Sequence, residues 1–192
     1  MGFTPKILAF SGSLRAGSFN HTLVQAAANG ARSAGAEVTV IRLSDFALPV
    51  FDEDLEARAT PDSVKRLKDL FRAHHGLLIT SPEYNSSVTA ALKNAIDWVS
   101  RPEQGQPPLS CFTDKVAGLL AASPGALGGL RGLVHLRAIL GNIQVTVLPD
   151  QFALNKAHEA FGPDGSLKDP KTKETVEAVG AKVARTIAKL RA

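Results

Sequence analysis

The sequence predicts a doubly wound α/β fold, in which helices cover both faces of a five-stranded parallel sheet. Five short, mostly apolar segments alternate with five segments of helical periodicity. The apolar segments are nearly continuous rather than alternating, which is typical of parallel strands buried on both faces. A length of 192 residues suits one domain, and we expect residues 1–192 to form a single domain.

The first two predicted strands flank a predicted helix. Residues 6–10 (KILAF) are a short apolar run, which indicates a buried strand. Apolar residues recur at helical spacing from Phe19, and Gly35 is a typical helix terminator. Residues 37–43 (EVTVIRL) are short and rich in β-branched side chains, so we expect a second strand there.

The middle of the chain repeats the alternation. Residues 45–61 contain two prolines and an acidic patch and are predicted to be a loop, and residues 62–74 show the apolar spacing of a helix. Residues 76–80 (GLLIT) are a third predicted strand. A polar loop at 81–87 leads into a predicted helix at 88–100, which the following Arg-Pro pair ends.

The last part of the chain supplies the remaining strands. In order, we predict a surface loop at 103–110, a strand at 115–122, a Gly-rich loop at 123–129, a helix at 130–140 and a strand at 143–148. An irregular stretch to Pro170 and a final helix to about residue 190 should follow.

Five strands with five helices in under 200 residues favour the flavodoxin-like strand order over a longer dinucleotide-binding fold. Ligands of such sheets bind at the carboxyl ends of the strands. The loops 11–20, 81–87 and 123–129 all follow predicted strands there. We therefore expect these three loops to form one site.

The first of these loops has the composition of a phosphate-binding loop. Backbone N–H groups at a helix N-terminus attract an anion, and hydroxyl groups and a guanidinium add donors. A single helix cap, by Ser18 or Asn20, is the structural alternative, but it explains only one or two of the residues. Neither a P-loop nor a GxGxxG fingerprint is present. The candidate ligands are Ser11, Ser13, Arg15, Ser18, Phe19 and Asn20.

The other two loops suit a flat aromatic ligand. The second offers backbone hydrogen-bonding groups and the aromatic face of Tyr84, and the third has glycines that let a backbone approach a planar ring. Read alone, each loop also fits an ordinary turn that leads into a helix. The candidate residues are Pro82, Glu83, Tyr84, Asn85, Ser123, Gly125 and Gly128.

Composition and charge exclude several classes of partner. The net charge is +4, and residues 171–192 carry all of it, with six Lys or Arg against two Glu. No aromatic residue lies among these basic side chains, so we expect a solvated helix surface and no nucleic-acid binding. No apolar run approaches the ~20 residues of a membrane span, and one cysteine allows no internal disulfide. We expect a cytoplasmic protein without membrane contact.

Three motifs resemble those of the NAD(P)H-dependent FMN reductase family, which includes bacterial quinone, chromate and azo reductases. They are GSLRAGSFN at 12–20, SPEYNSSVTAALKNAIDWVSRP at 81–102 and SPGALGG at 123–129. The resemblance covers about residues 6–150. It implies a flavodoxin-like fold, tightly bound FMN, NAD(P)H as co-substrate, and a homodimer or homotetramer with the flavin near a subunit interface.

The resemblance also assigns roles to the loops. The first loop would hold the phosphate of FMN, residues 82–85 would line the isoalloxazine ring, and the third loop would flank its other edge. A hydride would pass to flavin N5 and two electrons onward to a small acceptor by a ping-pong sequence, so no catalytic side chain is expected. Quinones, free flavin, azo and nitro compounds and chromate are candidate acceptors. An electron carrier and a non-catalytic FMN-binding module stay open as alternative functions.

A few other residues attract attention without fitting a site. His74 and His75 have no Cys, Asp or Glu at ligand spacing, so no metal site is expected. His21 is expected to be a surface residue in the first turn of its helix. Lys93 and Asp97 are spaced to form an ion pair within one helix or a contact across a dimer.

Overall fold

A computed structural model describes residues 2–191 and contains one five-stranded, all-parallel sheet in the order β2-β1-β3-β4-β5. This is the predicted flavodoxin-like order. The register places Ile7 beside Val38 of one neighbour and Gly76 of the other. The strands are β1 Lys6–Ser11, β2 Glu37–Arg42, β3 Gly76–Thr80, β4 Val116–Ala122 and β5 Thr146–Leu154.

Helices cover both faces of the sheet, as predicted. The helices are α1 Phe19–Ser33, α2 Glu53–Arg58, α3 Asp62–Ala73, α4 Ala90–Ser100, α5 Leu130–Asn142, α6 Ala157–Ala160 and α7 Pro170–Leu190. One apolar core lies under α1 and α7, and a second lies under α3, α4 and α5. Side chains of β1 alternate between them: Ile7 belongs to the first core and Leu8 to the second.

Two of the places where the structure differs from the predicted elements are the fifth strand and the loop 45–61. The fifth strand does not end at residue 148 but continues to Leu154, and its pairing with β4 shifts register between Ala117 and Leu119. Pro149 lies opposite this shift, where a residue without a backbone N–H is accommodated by a bulge. The second difference is α2, a short helix inside the predicted loop 45–61.

The basic character of the C-terminus lies on the exposed side of α7. Lys173, Lys182 and Arg185 are all exposed, whereas Val176 and Val183 are buried against the sheet. This amphipathic pattern is that of a surface helix. Among the helices of residues 2–191, none combines the length and the apolar composition that crossing a bilayer requires.

Candidate active site

The three predicted loops meet in one cleft at the carboxyl ends of β1, β3 and β4. The structure brings nine of the predicted residues together there and adds Ala122 and Pro124. The convergence follows from the topology, because β1 and β4 both flank β3 in the sheet. The nine are Ser13, Arg15, Ser18, Phe19, Asn20, Pro82, Glu83, Tyr84 and Ser123.

The first loop ends at the N-terminus of α1, which lines the cleft. Ser18 is the N-cap of α1, and its side chain accepts the N–H of His21 at 3.3 Å. Within residues 2–191, the backbone N–H groups of Phe19 and Asn20 have no hydrogen-bond acceptor. The first N–H groups of a helix lack partners inside the helix, and with the exposed Arg15 nearby they fit a phosphate.

The hydroxyl groups of this loop also organise its backbone. Ser11 Oγ accepts the N–H of Ser13 at 3.1 Å, and Ser13 Oγ accepts the N–H of Arg15 at 3.3 Å. Short side chains that accept from the backbone two residues ahead stabilise tight turns. Ser11 is buried and lies outside the lining of the cleft, so it shapes the loop from beneath.

The side chain of Asn20 makes its hydrogen bonds within the protein. Its side chain is 3% exposed; Oδ1 accepts the N–H of Ala122 at 2.9 Å, and Nδ2 donates to the carbonyl of Ala122 at 2.7 Å. The residue therefore ties the start of α1 to the end of β4.

Glu83, in the second loop, caps helix α5, which follows the third loop. Its carboxylate accepts the N–H of Arg131 at 3.0 Å, the N–H of Gly132 at 3.3 Å and Nε of Arg131 at 2.7 Å. These groups form the first turn of α5, whose N-cap Gly129 offers no side chain. Burial opposes ionisation, but the donors from Arg131 and Gly132 hold the pKa of Glu83 below its usual value.

Tyr84 starts a two-residue turn. The N–H and carbonyl of Tyr84 exchange hydrogen bonds with those of Ser87, both at 3.0 Å. Asn85 and Ser86 between them have φ values of 51° and 64°, the left-handed pair of a type I′ turn. The turn presents Tyr84, which is 54% exposed, at the edge of the cleft.

Three other predicted residues lie away from the cleft lining. Asn85 lines a neighbouring cleft of about 710 Å³ between α4 and α5, which Tyr84 also borders. Gly125 is exposed, and its N–H donates to Ser123 Oγ at 3.2 Å. Gly128 packs against β5: a Cβ there would lie 2.8 Å from the backbone of Ala153.

Three residues of α4 and its C-terminus, Asn94, Trp98 and Arg101, form contacts that were not predicted from the sequence. We call these contacts, which hold a neighbouring segment against α4, the clamp. Asn94 accepts the N–H of Phe51 and donates to the carbonyl of Pro49, both at 2.8 Å. Trp98 donates its indole N–H to the same carbonyl at 2.8 Å, and Arg101 pairs with Glu56. Asn94 and Trp98 are four residues apart and so lie on one face of α4, where they hold the segment 49–51 against the helix.

The other residues that attracted attention have structural roles. His21 is buried, so the expectation of a surface residue is wrong; burial and then the charge of Arg42 lower its pKa. Lys93 and Asp97 form the predicted ion pair within α4 at 2.7 Å. Cys111 is buried, and burial raises the pKa of its thiol.

The comparisons with known proteins settle the family. The family model described as NADPH-dependent FMN reductase matches residues 5–159. The chain belongs to this family. Its members use FMN as cofactor and NAD(P)H as co-substrate, and the chain is accordingly an FMN-dependent NAD(P)H oxidoreductase.

Individual relatives of this FMN reductase cover most of its length. It is 38% identical to an NAD(P)H-dependent FMN reductase of Pseudomonas aeruginosa, over 90% of this chain and 89% of that protein. It is 36% identical to a quinone reductase of Pseudomonas putida, over 87% and 86% of the two chains. The solved structure of the flavoenzyme NAD(P)H:(acceptor) oxidoreductase FerB from Paracoccus denitrificans superposes with a TM-score of 0.83 at 30% identity, covering 97% of this chain and 98% of that one.

Proposed function

We propose that this FMN reductase passes two electrons from NAD(P)H to quinones and related small acceptors in a ping-pong sequence. The observation that carries the proposal is the single cleft formed by the loops after β1, β3 and β4. It joins an N–H-rich helix N-terminus to a loop with an exposed aromatic side chain. A cofactor with a phosphate at one end and a flat ring at the other matches both parts.

The residues of the cleft divide by the part of FMN that they would hold. The N–H groups of Phe19 and Asn20, the hydroxyl of Ser13 and the guanidinium of Arg15 would bind the phosphate. Residues 82–84 and Ser123 would line the isoalloxazine ring. Bound FMN supplies the two-electron redox chemistry, and the protein supplies placement and electrostatics.

The neighbouring cleft between α4 and α5 is the proposed place for the nicotinamide and the acceptor. Its volume of about 710 Å³ lies in the range of small-molecule sites. Val88, Ala90 and Ile139 give it apolar walls, and Tyr84 borders both clefts. If both substrates use this one space, the oxidised nicotinamide must leave before the acceptor enters, which is the physical basis of the ping-pong order.

A homodimer or homotetramer is part of the proposal. Leu127, Leu130 and Val134 are exposed at helical spacing around the start of α5. Exposed apolar side chains at this density are typical of interaction surfaces. We also propose a cytoplasmic location, because the one cysteine is a buried thiol rather than a disulfide partner.

The experiment begins with the visible spectrum of the purified protein after incubation with FMN. Anaerobic NADPH should bleach the flavin absorption, and a quinone added afterwards should restore it. Initial rates measured against NADPH concentration, at several fixed quinone concentrations, should give parallel double-reciprocal lines. Intersecting lines would exclude the ping-pong order, and a bleached flavin that no quinone re-oxidises would exclude quinones as acceptors.

A further inference from the structure

Buried polar groups connect the three loops beneath the cleft. We call Gly12, Asn20, Thr80, Thr89 and Ala122 the strand-end network. The side chains of Asn20, Thr80 and Thr89 are each at most 3% exposed. Buried polar side chains are costly unless they are hydrogen-bonded, and each of these three is.

The hydrogen bonds of this network form an unbroken path. Thr89, the N-cap of α4, donates its hydroxyl to the carbonyl of Gly12 at 2.6 Å. The N–H of Gly12 donates to the carbonyl of Thr80 at the end of β3, at 2.8 Å. The hydroxyl of Thr80 donates to the carbonyl of Asn20 at 2.8 Å.

Asn20 completes the path through its two bonds to Ala122, at the end of β4. The network thus links the start of α4, the first loop, the ends of β3 and β4, and the start of α1. These are the elements that carry the phosphate-binding N–H groups and the two ring-lining loops. At Gly12 the first loop packs closely on α4, since a Cβ on Gly12 would lie 2.9 Å from Leu92 Cβ.

We propose that Thr80 and Asn20 are positioning residues, which fix the distance between the phosphate end and the ring end of the FMN site. Neither needs to touch the cofactor through its side chain. The inference rests on the proposed placement of FMN. Asn20 belongs to a motif whose polar residues are predicted from the sequence to be phosphate ligands, whereas Thr80 lies outside every predicted site.

The physical reason is preorganisation. The first and third loops are rich in glycine, and their backbone has many accessible conformations when nothing holds it. A ligand that must order such loops on binding loses affinity to that ordering. Because the network fixes both ends of the site together, its loss should weaken the binding of the whole flavin rather than of its phosphate alone.

Two flavins distinguish positioning from phosphate contact. Riboflavin has the ring and ribityl chain of FMN but no phosphate, so dissociation constants for both report the two ends separately. The variants are Thr80→Val, which removes the hydroxyl at nearly constant volume, and Asn20→Ser. Thr80→Ser keeps the hydroxyl and serves as the conservative variant.

Two controls bracket the result. Thr22→Val removes a hydroxyl whose hydrogen bond stays between α1 and its own cap, to the carbonyl of Ser18 at 3.4 Å. Arg15→Ala removes the exposed charge proposed to face the phosphate. We expect Arg15→Ala to weaken FMN alone and Thr22→Val to leave both dissociation constants unchanged.

For Thr80→Val we expect the dissociation constants of FMN and of riboflavin to rise by the same factor, about threefold to tenfold for one lost hydrogen bond. Thr80→Ser should keep the wild-type dissociation constants. Asn20→Ser, like Thr80→Val, should raise both. The inference is overturned if either variant weakens FMN but not riboflavin, or if both constants stay at wild-type values, whether or not the melting temperature falls. Wild-type protein that binds neither flavin would overturn the proposed function as well, so the two failures are distinguishable.

Discussion

Replacing Glu83 tests how the second loop is held in place. Glu83→Ala removes a carboxylate whose side chain is 8% exposed and leaves the N–H groups of Arg131 and Gly132 without their acceptor. Glu83→Gln keeps an acceptor oxygen but removes the charge. Both variants act on the start of α5 and on the loop that carries Tyr84.

The magnitude follows from the contacts. The Arg131 side chain is 56% exposed, so its ion pair with Glu83 contributes little. The hydrogen bonds from the two backbone N–H groups contribute more, and the loss of a helix cap with a charged acceptor should lower the unfolding free energy by about 2–3 kcal/mol in Glu83→Ala. Glu83→Gln should lose about 1 kcal/mol, mainly the charge at the helix N-terminus.

Urea unfolding of the two variants measures these losses, and Asp169→Ala is the matched control. Asp169 caps α7 by accepting the N–H of Thr172 at 2.9 Å, far along the chain from the three loops. The Asp169→Ala variant should lose about 1 kcal/mol of unfolding free energy without a change in FMN affinity. Glu83→Ala should lose both stability and FMN affinity. A smaller stability loss in Glu83→Ala than in Asp169→Ala would refute the reasoning.

Acid adds a second test of Glu83. Its folded-state pKa is lowered, so the carboxylate stabilises the fold above the ordinary carboxyl pKa, and that contribution is lost as the pH falls through the lowered value. The stability difference between wild type and Glu83→Gln should therefore shrink in acid. A difference that stays constant from neutral pH to acid would contradict an ionised cap.

Three further predictions concern other parts of the fold. Gly12→Ala should lower the unfolding free energy by about 1–3 kcal/mol, because its Cβ would lie 2.9 Å from Leu92 Cβ; Gly17→Ala, with no atom within 4 Å, should not. Asn94→Ala should make the segment 49–51 more sensitive to proteolysis, because Pro49 and Phe51 lose their side-chain partner; equal cleavage rates would count against the clamp. Burial lowers the pKa of Lys115 to about 8 from its ordinary 10.5, so between these values the unfolded chain binds more protons and wild-type stability should rise with pH. Lys115→Met should lack that rise, and parallel pH curves would contradict it.

The sheet could be predicted because its strands have a strong and unambiguous pattern. Every residue of β3 and β4 is buried, so each strand is a continuous apolar run between polar loops. The short helix α2 has no buried residue and hence no apolar periodicity for a sequence to display. Its available signal was Asp52 followed by Glu53 and Asp54, a cap with an acidic first turn.

The convergence of the three loops in one cleft was predictable for the same topological reason, but the hydrogen bonds of their residues were not. A sequence shows that Asn20 and Glu83 lie in strand-end loops, and it does not show what their polar atoms bond. Both partners are distant in sequence: Ala122 for Asn20 and the start of α5 for Glu83. Long-range hydrogen bonds of this kind leave no local pattern, so a polar residue near a site is easily taken for a ligand.

The polar residues of the three loops therefore specify the shape of the cleft at least as much as they provide ligands. Ser11 and Ser18 accept backbone N–H groups of their own loop and helix, and Glu83 accepts those of α5. The groups proposed to bind an anion are backbone N–H groups, which any residue except proline supplies, the hydroxyl of Ser13 and the exposed Arg15. Loss of activity on substitution in these motifs consequently does not identify a ligand, because a displaced loop and a missing contact both weaken binding. The comparison of FMN with riboflavin separates the loss of a phosphate contact, which changes the ratio of their affinities, from the joint displacement of both ends of the site, which leaves that ratio unchanged.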